Sequence, residues 1–524
     1  MENAIAEPAQ RRTERAELEE ALEIAGFGKF NWGLTAVCSI CLCASIVETM
    51  STGFILPAAQ CDLKMTTGQK GILTGATFTG MITSAHTWGI IADTTGRRKV
   101  LLISLLGASS FSFASAFANN LWLLAFLRLM VGLLISGSAA AVYSYLGEFS
   151  SVKFRSRSIA WACTAFPISM FIMPGVGWAV LPLDFDLDMF GMSFRSWRLF
   201  VIILGIPGFV AFLGLLRLPE SPKFLVMVGR SPEAIEVLEN VYRSNKGQDA
   251  GKYPISEIIA PPSMNLGKDP MFAKSGVTMR VLRTMWDQTI PLFLQPYGFT
   301  TLLVCAMQFG IFFSFNGMYL WMPEFLNQIA IFNGEHPGLP ASICDAYAVK
   351  TPEVAANTTA SSESVGEECH RDLDDSVFIK TLTIGGASLI VYLSVGFIVS
   401  VLRKKTIIIT AQTISGLAGL GLLFVNSTPM IATMMIIYHV ISGVCLSLLN
   451  SIVVDLYPTN LRTMAVCITL VTGRLGITAV ANLIALLIDI DCSVTMSIMA
   501  CVPLACAILC FFLPREAGSA VTIN

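Results

Sequence analysis

Charged residues are scarce in this 524-residue sequence: 13% are Asp, Glu, Lys or Arg, while 54% are hydrophobic. Soluble domains carry roughly 25% charged residues, so the composition argues against a water-soluble globular protein. The formal net charge of −2 gives no overall positive field for nucleic acid, and we predict no nucleic-acid partner. A mean hydropathy of +0.68 indicates instead that the lipid bilayer surrounds most of the chain.

Enzyme motifs are missing as well. No Walker-type phosphate cradle, zincin motif or serine elbow occurs. Most of the 14 cysteines lie inside apolar runs, where cysteine acts as a small hydrophobe, and Cys38, Cys41 and Cys43 lack nearby partners at zinc-finger spacing. We therefore predict no enzyme activity, no metal site and no cofactor. Without an ATP site, any transport would be driven by an ion gradient or run downhill.

Long apolar runs dominate the sequence. A membrane-spanning helix needs about 20 apolar residues, and twelve stretches meet this requirement. They lie near residues 33–57, 70–91, 99–118, 120–146, 158–181, 199–217, 299–325, 377–401, 405–425, 430–453, 463–489 and 492–513. Six precede and six follow one polar linker, which predicts an all-α, polytopic membrane protein built from two six-helix bundles.

The distribution of charge orients these spans. Lys and Arg concentrate in the segments that face the cytosol if the N-terminus lies there, and residues 1–30 have no apolar core of signal-peptide length. Both termini are therefore predicted to be cytosolic. The expected domains are a cytosolic arm with a short helix (1–32), a first bundle (33–217), a cytosolic linker (218–298), a second bundle (299–513) with an insert on the other side of the membrane (326–376), and a cytosolic tail (514–524).

The insert carries two features of an oxidising, extracytosolic or luminal space. Its N-T-T sequon makes Asn357 a predicted glycosylation site. Cys344 and Cys369 lie in the same insert, and a disulfide between them is the leading prediction. Cys61 and Cys492, near the same face, remain alternative partners.

Two short segments indicate that the bundles are repeats. EFSSVKFR, from Glu148 to Arg155, joins spans four and five, and DLYPTNLR, from Asp455 to Arg462, joins spans ten and eleven at identical spacing. A carboxylate that closes one helix and an arginine that opens the next, in both halves, indicate duplication and pseudo-symmetric bundles.

The stretch WGIIADTTGRRK places several charges at the turn between spans two and three. Asp93 can lie at the positive N-terminal end of a helix from the other half, while Arg97 can pair with Glu148 or Glu220. Such contacts would hold one face closed and break when it opens. The predicted gate and salt-bridge network consists of Gly89, Asp93, Gly96, Arg97, Arg98, Glu148, Arg155, Glu220, Asp455 and Arg462.

These residues match a known pattern. GIIADTTGRRK is similar to the signature of the major facilitator superfamily, and FLRLMVGLLISG resembles its fourth-helix pattern at Arg128 and Gly132. PESPKFL resembles the motif that follows the sixth helix in sugar and organic-ion porters. EEALEIAGFGKFNW, VETMSTGFILPAAQCDL, SFRSWRLFV and the insert resemble the synaptic vesicle glycoprotein 2 family. The resemblance implies a facilitator fold in a vesicle or plasma membrane.

Ionisable residues inside spans are costly and suggest function. Glu48 in the first span could carry a proton or could be a structural carboxylate. Ser45 stands where the resembled family tends to have a second acidic residue, and the second-half elbow, GFIVSVLRKKT, lacks the aspartate. Arg128 in the fourth span could pair with Glu48 or bind an anionic solute.

The second half offers further candidates. Arg474, in VTGRLGITAVAN, resembles an eleventh-helix element of organic-ion transporters and could contact solute or pair structurally. Asn316 is a predicted solute contact on the seventh span, whereas Trp321 and Glu324 are assigned to the interfacial belt. The predicted substrate or coupling residues are Glu48, Arg128, Asn316 and Arg474.

The primary functional hypothesis is a secondary transporter that moves a small organic solute by alternating access, with a proton as candidate coupling ion. The alternative is a synaptic-vesicle-type membrane glycoprotein that regulates exocytosis through vesicle-trafficking proteins, with little or no transport. A ligand-sensing receptor on a transporter scaffold is a third reading. The sequence does not specify the solute, because selectivity depends on the shape of the cavity.

Overall fold

The computed structural model describes residues 15–189, 191–247, 253–259, 286, 289–339, 342–348, 374–457 and 459–514. This part of the chain is almost entirely helical and forms two groups of six membrane spans, which confirms the predicted fold class. Nine helices in the described part are long and apolar enough to cross a membrane by length and composition alone. The protein is therefore a multi-pass integral membrane protein.

The spans of the first group, the N half, include two that are divided, at Ser51 and at Thr164. The N half consists of α2 (Lys29–Met50), α3 (Thr52–Leu63), α4 (Thr67–Thr95), α5 (Arg97–Ser115), α6 (Leu121–Glu148), α7 (Val152–Cys163), α8 (Ala165–Val180) and α9 (Ser196–Leu216). The C half consists of α12 (Gly298–Glu335), α14 (Asp375–Val401), α15 (Lys404–Gly421), α16 (Thr428–Leu456), α17 (Thr459–Leu487) and α18 (Cys492–Phe511).

Short elements lie outside the spans. They are β1 (Arg15–Glu17), α1 (Leu18–Ala25), β2 (Leu187–Met189), β3 (Met192–Phe194), α10 (Pro222–Met227), α11 (Ser231–Lys246), β4 (Glu257–Ile259) and α13 (Ile343–Ala348). We call the side on which Gly96 joins α4 to α5 the elbow side. The opposite side, on which α13 lies, is the insert side.

Side-chain caps fix where several spans begin. Thr66 and Gln69 form a reciprocal capping box at the start of α4. Asn120 accepts a hydrogen bond from Leu123 N at 2.9 Å before α6, and Asp491 caps α18 in the same way. Each cap satisfies a backbone N–H that the helix itself leaves free.

Glycines allow the spans of the N half to approach closely. A Cβ added to Gly132 of α6 would lie 1.8 Å from Thr77 O of α4, and one added to Gly80 would lie 2.2 Å from Leu129 O. Membrane helices lack a hydrophobic force that drives them together, so small residues that permit backbone contact stabilise their packing. The α4–α6 pair depends on this contact.

The two halves meet along three helix pairs, α3 with α12, α4 with α17, and α8 with α14. Added Cβ atoms would collide there too: Gly53 with Leu320 O at 2.7 Å, Gly71 with the Ala485 side chain at 2.4 Å, and Gly385 with Met170 O at 2.6 Å. The three contacts lie toward the insert side, so the halves are packed together most tightly there.

The described parts of the N-terminal arm and of the linker form one small layer on the elbow side. Strand β1 pairs in parallel with β4, and α1, which ends at Gly26, packs on α11. Tyr253 donates a hydrogen bond to Ala21 O at 2.7 Å, and Asn245 bonds Gly26 O and the Asn31 side chain. These contacts attach the arm and linker to the N half.

The insert side carries a correction to the predicted disulfide. Cys344 of α13 is bonded to Cys492 at the start of α18, with a Cα–Cα distance of 5.4 Å, so the Cys344–Cys369 pairing is wrong and the alternative with Cys492 is confirmed. Cys61 is also disulfide-bonded. Cys369 and the predicted glycosylation site Asn357 lie outside the described residues.

The close α4–α6 contact generates a stability prediction. Gly132→Ala should lower the free energy of unfolding by about 1–3 kcal/mol, since its methyl group has to displace the α4 backbone. Gly89→Ala is the control, because no atom of the described residues lies within 4 Å of the Cβ it would add. Thermal unfolding of the detergent-solubilised protein measures both variants. Equal melting temperatures for the two would contradict the inferred contact.

Candidate functional site

A buried ion pair lies at the centre of the N half. Arg128 of α6 donates from Nη1 to Glu48 Oε2 of α2 at 3.0 Å, and the two side chains are 1% and 4% exposed. Ser51, at the break between α2 and α3, lies 3.3 Å from the same nitrogen. Nε and Nη2 of Arg128 have no hydrogen-bond partner among the described residues. The predicted contact between Glu48 and Arg128 is thus present, and two donors remain available.

The elbow forms a second polar network. Arg97 Nε lies 3.1 Å from Glu148 Oε1, and Arg97 Nη2 lies 2.9 Å from Asp93 Oδ1. Glu148 also accepts a hydrogen bond from the Ser221 hydroxyl. Of the two carboxylates that the sequence offers to Arg97, the structure uses Glu148.

Glu220 has a different role at the elbow. Its carboxylate accepts the backbone N–H of Arg98 at 2.9 Å, at the start of α5, where an anion is favoured by the helix dipole. Gly96 has φ +108°, and a Cβ there would lie 2.5 Å from Glu220 Oε2. Glycine is therefore required at this position both by conformation and by space.

The remaining predicted gate residues bond within their own halves or to the arm. Asp93 is 74% exposed and pairs with Arg97 of its own elbow, so its expected docking on a helix start of the other half is not formed in the described residues. Arg155 donates hydrogen bonds to Gly147 O and to Glu19 of α1.

The corresponding corner of the C half is simpler. Asp455 accepts from Lys404 Nζ at 2.7 Å. Arg462 lies in α17, and its side chain is outside the described residues. Lys404 belongs to the basic run of the second-half elbow. This elbow lacks an aspartate of its own, and its lysine pairs with Asp455.

Arg474 is a half-buried cation inside span eleven. Its side chain makes no hydrogen bond or ion pair with another residue that the structure describes. Thr478 and Asn482, one and two turns further along α17, approach Gly75 of α4. Residues four apart share a helix face, so Arg474 lies on the face of α17 that is turned toward the N half.

Asn316, the predicted solute contact on the seventh span, is buried and bonded within its own helix. It is 3% exposed, and its amide nitrogen donates to Phe312 O of the same helix at 3.1 Å. Gln308, two turns earlier on the same helix, donates a hydrogen bond from its amide nitrogen to Asn450 Oδ1 of α16 at 3.1 Å. His439 stacks between Phe315 and Tyr319, in a core position. Asn316 therefore remains only a candidate contact.

The assignment of Trp321 and Glu324 to the interfacial belt is wrong, since both are buried. Glu324 Oε1 lies 2.5 Å from Lys70 Nζ of α4, in the N half. The sequence does not single out Lys70, because it is the first residue of its predicted span, where a lysine side chain normally reaches water. One feature of the sequence points to the pair: Lys70 and Glu324 carry opposite charges and lie at similar distances from the insert-side ends of spans two and seven.

The protein has two repeated six-helix halves that meet along a central seam. This architecture is that of a class of helical membrane carriers. The chain matches the family model of the Major Facilitator Superfamily over residues 38–331, more than half its length, and it belongs to that family.

Curated relatives point to one branch of this family. The chain is 32% identical over 338 residues to synaptic vesicle glycoprotein 2A of Homo sapiens, covering 61% of this chain and 45% of that protein. It is 29% identical over 355 residues to synaptic vesicle glycoprotein 2B of Mus musculus, covering 63% and 52%. The chain spans about half the length of the curated relatives it matches.

Solved structures show the same fold. The partially occluded inward open conformation of the xylose transporter XylE from E. coli has a TM-score of 0.63 at 13% identity and covers 93% of this chain and all of that one. The inward open conformation of the same transporter has a TM-score of 0.64 at 13% identity, covering 94% and 98%. At this identity the likeness concerns the fold alone.

The Glu48–Arg128 pair yields a double-mutant prediction. Glu48→Gln or Arg128→Met alone should destabilise the protein by about 3–5 kcal/mol, since each leaves a buried charge without its partner. The double variant should lose less than the sum of the two, because no charge is then stranded. Thermal unfolding measures the cycle. Additive losses would show that the two groups are not coupled. Arg230→Ala, which removes an exposed ion pair with Glu233, is the control and should leave the stability almost unchanged.

Proposed function

We propose that the protein is a secondary transporter that moves a small organic solute by alternating access. The observation that carries the proposal is the unequal contact between its halves. Close backbone contacts join them toward the insert side. On the elbow side Asp93 is exposed, and no residue that the structure describes contacts the Cβ position of Gly89. A protein whose halves separate on one side and close on the other can present a central site to each side in turn.

The Glu48–Arg128 pair is the proposed coupling element. A carboxylate that is buried inside a span has one neutralising partner in the described residues, Arg128. When Glu48 takes up a proton, Arg128 loses its counter-charge and its donors become available to an incoming solute. Proton binding and solute binding would then favour the same state, which is the requirement for coupling two gradients.

Arg474 supports a solute with a negative charge. A cation inside a span is costly unless it is paired or hydrated, and its helix face is turned toward the other half. An anionic group of the solute, such as a carboxylate, would supply the missing partner. We therefore propose an organic anion as the preferred class.

Similarity to synaptic vesicle glycoproteins 2A and 2B supports a second candidate. In this alternative the protein resides in a vesicle membrane and regulates exocytosis through trafficking proteins, with little or no transport. The elbow side, with both termini, faces the cytosol in either proposal, as the basic residues favour. Because the chain spans about half of those relatives, their partners need not be shared.

Uptake into proteoliposomes separates the two candidates. With an inwardly directed proton gradient, the wild-type protein should concentrate at least one solute from a panel of radiolabelled monocarboxylates, dicarboxylates and monosaccharides, in a saturable manner. Glu48→Gln should reduce this accumulation to the level seen without a gradient, yet retain exchange of labelled for unlabelled solute, since exchange moves no net proton.

Glu233→Gln, in an exposed pair with Arg230, is the matched control and should behave as wild type. If Glu48→Gln still concentrated the solute, Glu48 would not be the coupling group. A wild-type protein that is silent across the whole panel would favour the regulatory alternative.

Arg474 provides a separate test of solute class. Arg474→Gln should raise the KM for an anionic solute about tenfold to a hundredfold, which corresponds to losing a charged hydrogen bond of about 1.5–3 kcal/mol. Arg474→Lys should retain much of the affinity, and neutral solutes should be unaffected by either change. A similar rise for neutral and anionic solutes would contradict the proposed contact.

A further inference from the structure

Lys70 and Glu324 form an ion pair that is sealed from water. Lys70 Nζ lies 2.5 Å from Glu324 Oε1, and the side chains are 4% and 2% exposed. Gln60 accepts a second hydrogen bond from Lys70 Nζ at 2.7 Å, and Gln328 donates to Glu324 Oε1 at 3.1 Å. Two amides therefore support the charges on either side of the contact.

The pair joins the two halves of the protein. Lys70 and Gln60 belong to α4 and α3 of the N half, whereas Glu324 and Gln328 belong to α12 of the C half. Between residues that the structure describes, it is the only ion pair that crosses from half to half. The Glu48–Arg128, Arg97–Glu148 and Lys404–Asp455 pairs each lie inside one half.

The pair lies beside the glycine contact on the insert side. Gly71, next to Lys70, is the residue at which α4 meets Ala485 of α17. Separation of the halves here would pull Lys70 away from Glu324.

Helix α13 covers the same region. Tyr347 packs edge-on against Phe325, next to Glu324, with ring centroids 6.2 Å apart. Burial, and then the charges of Glu324 and Asp489, raise the pKa of Tyr347 above its ordinary value, so its phenol stays neutral. The Cys344–Cys492 disulfide anchors α13 to α18. This cover keeps water from the pair while the insert side is closed.

We propose that Lys70 and Glu324 are the gating pair of the insert side, which positions the halves in the closed state and separates when that side opens. The inference rests on the proposed alternating access but concerns the conformational equilibrium, which can be measured without a solute. A buried charge that loses its partner is strongly disfavoured, and hydration relieves it. Neutralising one member should therefore favour the insert-open state, in which water reaches the other.

Two cysteines report the two sides. Cys467 of α17 is exposed. It precedes Arg474 by seven residues and Thr478 by eleven, so it lies on the helix face that is turned toward α4, nearer the elbow side, and it monitors the space between the halves there. Ala485→Cys, at a position that is 4% exposed, monitors the insert-side contact. Each is labelled in the purified, full-length protein with a soluble maleimide, and the labelled peptide is quantified by mass spectrometry.

In the Glu324→Gln variant, the cysteine introduced by Ala485→Cys should react with maleimide at least about tenfold faster than in the parent. Cys467 should react correspondingly more slowly, since one side closes when the other opens. Lys70→Met/Glu324→Gln should shift both rates less, because no lone charge remains. The charge swap Lys70→Glu/Glu324→Lys should return both rates toward those of the parent.

Asp186→Asn is the matched control, since it removes an insert-side ion pair with Arg195 inside the N half, and both rates should stay at the parent level. Unchanged rates in Glu324→Gln would overturn the gating role, whether or not the protein transports a solute. Faster labelling of both cysteines would indicate general loosening of the fold, which also overturns it. Opposite shifts at the two cysteines, reversed by the swap, are the result that supports the gate.

Discussion

A charge inside the bilayer must find a counter-charge or water, and this constraint organises the polar contacts of the protein. Arg128 lies deep in a span and Lys70 lies in the first turn of one, and each is buried with a carboxylate at hydrogen-bond distance. Both pairs are nearly inaccessible to solvent, so the energy of each depends on the exact position of two helices. The pairs differ in the helices that they join: Glu48–Arg128 joins two helices of the N half, and Lys70–Glu324 joins one helix from each half.

A pair within one half persists when the halves rock against each other, whereas a pair between halves cannot. Glu48–Arg128 couples α2 to α6 and therefore changes only when the charge of one member changes. Lys70–Glu324 couples α4 to α12 and therefore responds to the relative position of the halves. The first arrangement suits a protonation-dependent element, and the second suits a gate.

Much of the fold could be predicted from sequence, because hydropathy over about 20 residues reports the bilayer directly. The sequence predicts that Arg97 pairs with Glu148 or Glu220, since both carboxylates lie at helix ends on the same side, and the structure shows the pair with Glu148. The sequence offers the Cys344–Cys492 disulfide only as an alternative, because loop sequences do not specify which cysteines approach one another and these two are 148 residues apart. Glu324 was assigned to the lipid interface because its partner is 254 residues away.

The two halves are repeats in sequence but differ in how their elbow sides are held. In the N half, Gly96 sets the backbone, Glu148 and Glu220 bind successive elbow residues, and the arm and linker add further bonds through Asn245. In the described part of the C half, Lys404 and a half-exposed Asp455 form the corresponding corner. A surface pair of that kind contributes little. The N half together with its arm and linker therefore forms the more rigid body, against which the C half can move.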